Sequence, residues 1–427
     1  MITLEHLQTQ KKENVALNRS RLRVAYIMSR FPKLTETFVL NEMLVMKERV
    51  GTVEIYPLMK ENAEVVHSEA AGLVEEAHYT PFVSRSLLRA NLSALRQQPA
   101  IYRQTVGTLM RETRGNRHFL MASLALFPKA VYLAGIFRAR QIDHIHAHFA
   151  THPATAAFII HRLTQIPFSF TAHGSDLHRR QEMLCTKVNE AAFVATISEY
   201  NRRFILDHCG EAVAPRLHVI HCGVDINRFQ VRHPADKNGD GTFQVLSIGT
   251  LHEVKGQRYL IDAVAALRDQ GMYVACDLVG DGPDRDALER QVQERGLENY
   301  VTFFGHRSRD QVIEHLGRAD LLVAPSVPSS DGRREGIPVV LIEAMASGVP
   351  VVASRLSGIP ELVHHEQTGL LAQPGDVDDL CAAIRRLITD RSLAQRLGYE
   401  GRRYVEAEFN LHENANALAQ LFAEVSQ

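Results

Sequence analysis

From residue 22 onward the chain alternates short apolar runs with longer stretches of helical period. LRVAYIM at 22–28 is apolar enough to be buried on both faces, as strands of a parallel sheet are. A polar loop, SRFPKLTETF, follows it, then a helical pattern over 36–49 and a second apolar run at 53–58, so the chain opens with a β-α-β unit. Further strands are expected at 142–147, 167–171, 192–196 and 217–220, with helical patterns between several of them. The segment 232–241 is polar, rich in Asp and Gly and without hydrophobic period, which marks a linker. Beyond it the pattern restarts. Strands are expected at 243–248, 273–279, 301–304, 321–324 and 350–353, helices near 258–270, 284–294, 311–316 and 338–346, and a mostly helical end from 377. The fold class is therefore α/β, with two successive doubly wound parallel sheets and ligands at the carboxyl ends of the strands. The expected divisions are a polar extension 1–20, a first domain 21–231, the linker 232–241, a second domain 242–402, and a closing helix 403–427 packing back on the first domain.

A chain of 427 residues has length for two or three domains with sizeable cores, and 45% hydrophobic with 23% charged residues is an ordinary globular balance. With 48 basic against 49 acidic residues, no global field holds a polyanion, so nucleic acid is not an expected partner. Charge is uneven locally, because residues 81–140 hold ten Lys or Arg and one acid, Glu112. Arg85, Arg89, Arg96 and Arg103 fall near helical spacing among leucines, the pattern of a basic amphipathic surface facing anionic lipid or of a solvated helical face. The apolar stretch 119–137 has spanning length, but Pro128 and Lys129 at its middle argue against a membrane span. The N-terminus lacks a basic start and an apolar core, so no signal peptide is expected. Five scattered cysteines without a C-x-x-C pair fit unpaired thiols in a reducing compartment, and a cytoplasmic location is expected.

The segment DGRREGIPVVLIEAMASGVPVVAS at 331–354 concentrates candidate chemistry. Gly336, Ile337 and Pro338 form a tight loop feeding a helix that Val339 continues, whose N-terminus offers free N–H groups and a positive dipole end to a phosphate. Glu335 lies at the loop mouth and Glu343 one to two turns into the helix, where a carboxylate accepts two hydroxyl hydrogen bonds. Lys255, in SIGTLHEVKG, is a point cation suited to a diphosphate oxygen. His173 follows the strand-like PFSFT and stands at a strand's carboxyl end. His144, His146 and His148 alternate on one strand face, a possible ligand ladder, but no neighbouring carboxylate or cysteine in the sequence completes a set and no metal is expected. Asp284 with Asp286 and Asp376 with Asp378 sit at helix starts and are read as caps. The G-x-G-x-x-G of dinucleotide enzymes is absent after Gly280.

The Glu335 to Glu343 spacing resembles the E-x7-E signature of retaining glycosyltransferases of family 4, which have the GT-B architecture of two Rossmann-like domains facing a deep cleft. SIGTLHEVKG, LVGDGP at 278–283 and VTFFG at 301–305 are similar to that family's donor half. HAHFATHPATAA at 146–157, FTAHGSDL at 170–177 and SRFPKLTETFVLNEM at 29–43 resemble its colanic-acid and amylovoran branch, which builds exopolysaccharides. The resemblance implies a sugar transfer from a nucleotide-diphosphate donor, UDP-linked by expectation, to a lipid-linked acceptor at the inner face of the cytoplasmic membrane, with no cofactor or metal for the transfer. It implies catalytic roles for His173 and Glu335, donor contacts from Gly249, Thr250, Lys255, Gly336, Ile337, Pro338, Val339 and Glu343, and acceptor contacts from Arg30, Lys33, Thr35 and Glu36. One position departs: Thr250 stands where the family commonly has arginine, and Arg258, Arg333 or Arg334 could compensate for it. A nucleotide-sugar epimerase and a non-catalytic sugar-nucleotide-binding subunit share the architecture and stand as alternatives.

Overall fold

The computed structural model describes residues 21–33, 36–61, 70–230 and 242–426; the expected extension 1–20, the linker 232–241 and Thr35 lie outside the described residues. The chain divides into two units, one of Met1–Ile220 with His412–Gln427 and one of His221–Leu411.

In the N-terminal unit six strands make one sheet: β1 (Arg23–Phe31), β2 (Thr52–Lys60), β3 (His144–His148), β4 (Phe168–Ala172), β5 (Phe193–Thr196) and β6 (Leu217–Val219). Their order is β2-β1-β3-β4-β5-β6 and every pair is parallel. In the second unit β7 (Phe243–Ile248), β8 (Val274–Val279), β9 (Val301–Gly305), β10 (Leu321–Ala324), β11 (Val351–Ser354) and β12 (Leu370–Ala372) run in the order β12-β11-β10-β7-β8-β9, again all parallel. The strands are the apolar runs the sequence marks, since Val24–Met28 and Leu321–Val323 are almost wholly buried beneath helices on both faces. Each sheet changes direction once. In the first the chain leaves β1 for β2 on one side and returns to β3 on the other; in the second it leaves β7 for β8 and β9 and returns to β10. Crevices form at such switch points, so the loops after β1 and β3, and after β7 and β10, are where a ligand has room.

Most boundaries agree with the periodicity within a residue or two. The first strand is longer than expected: Ser29, Arg30 and Phe31 continue β1 paired with β2, so the loop begins only at Pro32. β12 and the short helix Ile359–Leu362 carry too few residues to show a period and had no counterpart in the sequence pattern. The closing helix is Leu411–Val425, where Phe422 packs against Tyr26, His144, His146 and Phe193 of the first sheet.

The apolar stretch that has spanning length is the helix Arg117–Ala139. It lies in the core, burying Phe119, Leu126, Phe127, Leu133 and Phe137, each worth about 1.5–3 kcal/mol of hydrophobic free energy. Lys129 at its centre is also buried and donates to the carbonyls of Leu58 and Thr80, which satisfies a group a lipid environment would leave unpaired. Cys185 and Cys209 correct the expectation of unpaired cysteines, because they form a disulfide. The helices Leu184–Glu190 and Glu199–Cys209 bring their Cα atoms to 5.2 Å, a proximity that a separation of 24 residues does not reveal. Cys276 and Cys381 are buried free thiols.

Candidate active site

At the second sheet's switch point the loop after β7 meets the loop after β10. Gly256 makes this contact possible: its φ is +68° and a Cβ there would stand 1.9 Å from the Pro325 carbonyl oxygen. The amide of Val327 then donates to the Val254 carbonyl at 3.0 Å, and the Ser330 amide and hydroxyl both donate to Glu253. With the two loops joined, Lys255 Nζ lies 2.6 Å from Glu335 Oε2, each side chain partly open to solvent. Gly249 sits beside the lysine stem, where a Cβ would meet Cε at 3.3 Å. Thr250 is fixed by its carbonyl, which accepts from Gln257 Nε2 at 3.1 Å.

Glu335 is followed by Gly336 and the buried Ile337, and Pro338 is the N-cap of the helix Val339–Ala346, one position earlier than the first helical turn expected for it. Its carbonyl accepts from the Leu341 amide at 3.0 Å, while the Val339 and Val340 amides come before the first intrahelical bond. Glu343 stands on the second turn. Burial pushes its carboxyl up to about 7, against the pull of the Arg309 guanidinium. Arg309, the first residue of the helix Arg309–Arg318, has no signature in the sequence; only the fold brings it near Glu343. Of the cations considered for the missing arginine, Arg258 lies over the Tyr259 ring, while Arg333 reaches the loop after β7, with Nη1 3.5 Å from His252 Nε2 and Nε 3.0 Å from Asp331.

The carboxyl edge of the first sheet has other chemistry. His173, directly after β4, is 8% exposed, and its ring lies against those of Phe38 and Phe149 with centroids 4.8 and 4.6 Å away. Its Nε2 is 3.2 Å from His148 Nδ1 at the end of β3. Asp176 fixes the loops here: one carboxylate oxygen accepts from the His173 and Gly174 amides and the other from Ala150 at 2.7 Å. Burial raises the Asp176 carboxyl against those bonds, and burial also holds His173 and His146 well below the ordinary imidazole value.

Of the acceptor candidates, Arg30, Lys33 and Glu36 lie at the end of β1 or in the segment after it. Arg30 ends β1 beside Glu61 at 3.4 Å, and Lys33 pairs with Glu36 at 2.5 Å. Phe38, two residues beyond Glu36, joins this loop to His173. Sequence reasoning missed Glu42, Asp176, Phe38, His252 and Arg309. Asp176, following Gly174 and Ser175, has the look of a helix-start residue, which is the one available signal; the others depend on tertiary packing.

Two family models match the chain, Glycosyltransferase Family 4 over residues 64–228 and Glycosyl transferases group 1 over residues 229–404. The chain is 28% identical to the amylovoran biosynthesis glycosyltransferase AmsK of Erwinia amylovora and 29% identical to the putative colanic acid biosynthesis glycosyltransferase WcaL of Escherichia coli, in each case over 94% of this chain and 99% of the relative. Among solved structures, HepE of Anabaena in complex with UDP superposes with a TM-score of 0.70 at 21% identity, covering 93% of this chain and 98% of that one. Sequence and architecture agree, and the chain belongs to glycosyltransferase family 4, with the GT-B fold.

Proposed function

We propose that this protein is a retaining glycosyltransferase that transfers a sugar from a UDP-linked donor to a lipid-linked exopolysaccharide intermediate on the cytoplasmic side of a membrane. The observation that carries this reading is the Lys255–Glu335 pair beside the start of the helix Val339–Ala346. Lys255 and the helix N-terminus together suit the diphosphate, whose negative charge grows as the bond to the sugar breaks. A diphosphate oxygen arriving at Lys255 replaces Glu335 as the lysine's partner and frees that carboxylate for the sugar hydroxyls. Glu343 accepts from the nucleoside's hydroxyls when ionised. Retention is read as attack on the face the leaving group departs from, with no enzymic nucleophile assigned. The transfer itself needs no resident cofactor.

The relatives' names support an exopolysaccharide product, and the UDP-bound neighbour supports the nucleotide. An epimerase is not favoured by these comparisons. The membrane reading is supported by the helix Arg85–Gln97, which exposes Leu88, Leu92 and Leu95 along one stripe with Arg85, Arg89 and Arg96 also exposed, while Leu87 is buried. The spacing across Arg103 is not a single helix, because Gln98 ends this one and Pro99 starts the next. Such a stripe suits the boundary of an anionic bilayer.

The test is transfer from radiolabelled UDP-sugars to a membrane lipid extract, in wild type and Glu335→Ala. Labelled lipid with wild type alone is the expected result. Conversion of the donor to its epimer without any acceptor, or nucleotide binding with no turnover in either protein, would contradict it.

A further inference from the structure

We propose that Glu42, His146 and His148 form a site for one divalent transition metal of the zinc class in the N-terminal unit. Taken along the sequence, the alternating histidines lack a carboxylate. The fold supplies one, from the helix Thr37–Arg49 that follows the loop after β1. One ligand-capable atom from each of Glu42, His146 and His148 falls within 4.8 Å of the other two. His146 and His148 are two apart on β3 and so present the same face, and both are wholly buried.

Two observations point to a shared cation instead of a plain hydrogen-bonded cluster. His148 Nε2 is buried and makes no hydrogen bond, although Glu42 Oε1 is only 3.2 Å away. A carboxylate oxygen and an imidazole nitrogen that approach so closely without an aligned proton resemble two ligands of one ion. Ligands held tetrahedrally at about 2.1 Å from zinc stand about 3.4 Å apart, so this pair already has nearly that separation. The second observation is that each candidate ligand has an outer partner that orients it. His146 Nδ1 is 2.8 Å from Ser169 Oγ, His148 Nδ1 is 3.2 Å from His173 Nε2, and the Tyr26 hydroxyl donates to Glu42 Oε1 at 3.1 Å. Ligating histidines and carboxylates are held in this way in metal sites. With Nδ1 occupied, Nε2 is the nitrogen each ring offers, and for His146 this means yielding the present 3.0 Å contact with Thr171.

Other features agree. Two imidazoles and a carboxylate are a donor set suited to zinc and its neighbours, and the partial exposure of the Glu42 side chain, 19%, leaves a way in. Bound there, the ion fixes His148 and through it the His173 ring, whether or not the transfer reaction is the one proposed above.

The experiment uses the full chain without an affinity tag, stripped with a chelator and then titrated with cobalt(II) and zinc(II). The expected result is one equivalent of metal per chain, visible absorption bands with cobalt and a raised melting temperature with zinc. Affinity should fall by at least about tenfold in His148→Ala and in Glu42→Gln. Glu42→Gln keeps an acceptor for Tyr26 and guards against a variant that merely misfolds; its circular dichroism in chelator should match wild type. Sub-stoichiometric uptake by wild type, or equal affinity in wild type and Glu42→Gln, overturns the site and leaves a cluster held by hydrogen bonds alone.

Discussion

The two sheets share a topology, yet their carboxyl edges have been built for different partners. At the edge of β7 and β10 the loops are joined through glycine, and a charged pair, Lys255 with Glu335, stands beside a helix start. At the edge of β1, β3 and β4 the groups are buried imidazoles, Phe38 and Phe149 beside the Asp176 and Glu42 carboxylates, with the Arg30–Glu61 and Lys33–Glu36 pairs following at the end of β1. The first arrangement suits an anion whose charge changes during reaction. The second, apart from the Glu42, His146 and His148 cluster, offers apolar ring faces and neutral imidazoles to a hydroxyl-bearing partner. Fold alone does not assign such work, since the same doubly wound sheet carries both.

Substitutions at the charged edge should have the largest effect. Glu335→Ala is expected to lower turnover by about 10²–10³-fold, the usual loss when a group acting on developing charge is removed. Steady-state assay of transfer checks this, and a variant retaining a tenth of wild-type turnover would sink the role given to Glu335. Lys255→Ala should weaken nucleotide binding by about 10–100-fold, the worth of a hydrogen bond to a charged group. His173→Ala sharpens the comparison: it should slow transfer while leaving the nucleotide dissociation constant within about twofold, a difference of about 0.4 kcal/mol. A matching loss of nucleotide affinity in His173→Ala would erase the distinction between the edges.

A smaller effect is expected at Arg333, whose contact with His252 makes it the candidate to replace the arginine absent at 250. Arg333→Ala should raise the nucleotide dissociation constant by about threefold to tenfold, within the range for one partly exposed cation. Adding Thr250→Arg in that background should restore affinity in isothermal titration; further weakening would show that position 250 is not near the diphosphate.

Protonation provides another measure. The Glu343 carboxyl is raised in the folded protein from 4.5 to about 7, so its contribution to stability is complete below 4.5 and is lost as pH rises through about 7. Melting temperature should therefore show a downward component between pH 5 and 7 that Glu343→Gln removes, at most about 1.4 kcal/mol per pH unit. Nucleotide binding should change in the opposite sense and tighten as Glu343 ionises. A small effect is also expected at the basic stripe: Arg89→Gln should weaken binding to anionic vesicles by roughly fivefold, near 1 kcal/mol for one basic residue, without changing the melting temperature.

Periodicity showed every strand but β12 and the longer helices of the second unit, because strands buried on both faces are continuous apolar runs, while the helices between β2 and β4 had no bounds in the sequence pattern. The donor-side candidates were legible for a related reason: Lys255-Gly256 and Glu335 to Val339 are local motifs whose loops bring them together at the switch point. What stayed hidden was contact between distant residues. Glu42, on the helix Thr37–Arg49, reaches His148 at the end of β3, the Arg309 charge acts on Glu343 from a separate helix, and Cys185 meets Cys209 through helix packing. None of these pairs has a spacing that announces it.

The most direct test is a thermal-shift titration of wild type and Lys255→Ala with UDP, GDP and ADP, because a ligand that binds only the folded state raises its melting temperature. The account predicts a saturable rise with UDP in wild type, little with GDP or ADP, and at least about a tenfold weaker response in Lys255→Ala. An equal UDP response in both proteins would place the nucleotide away from Lys255 and contradict it.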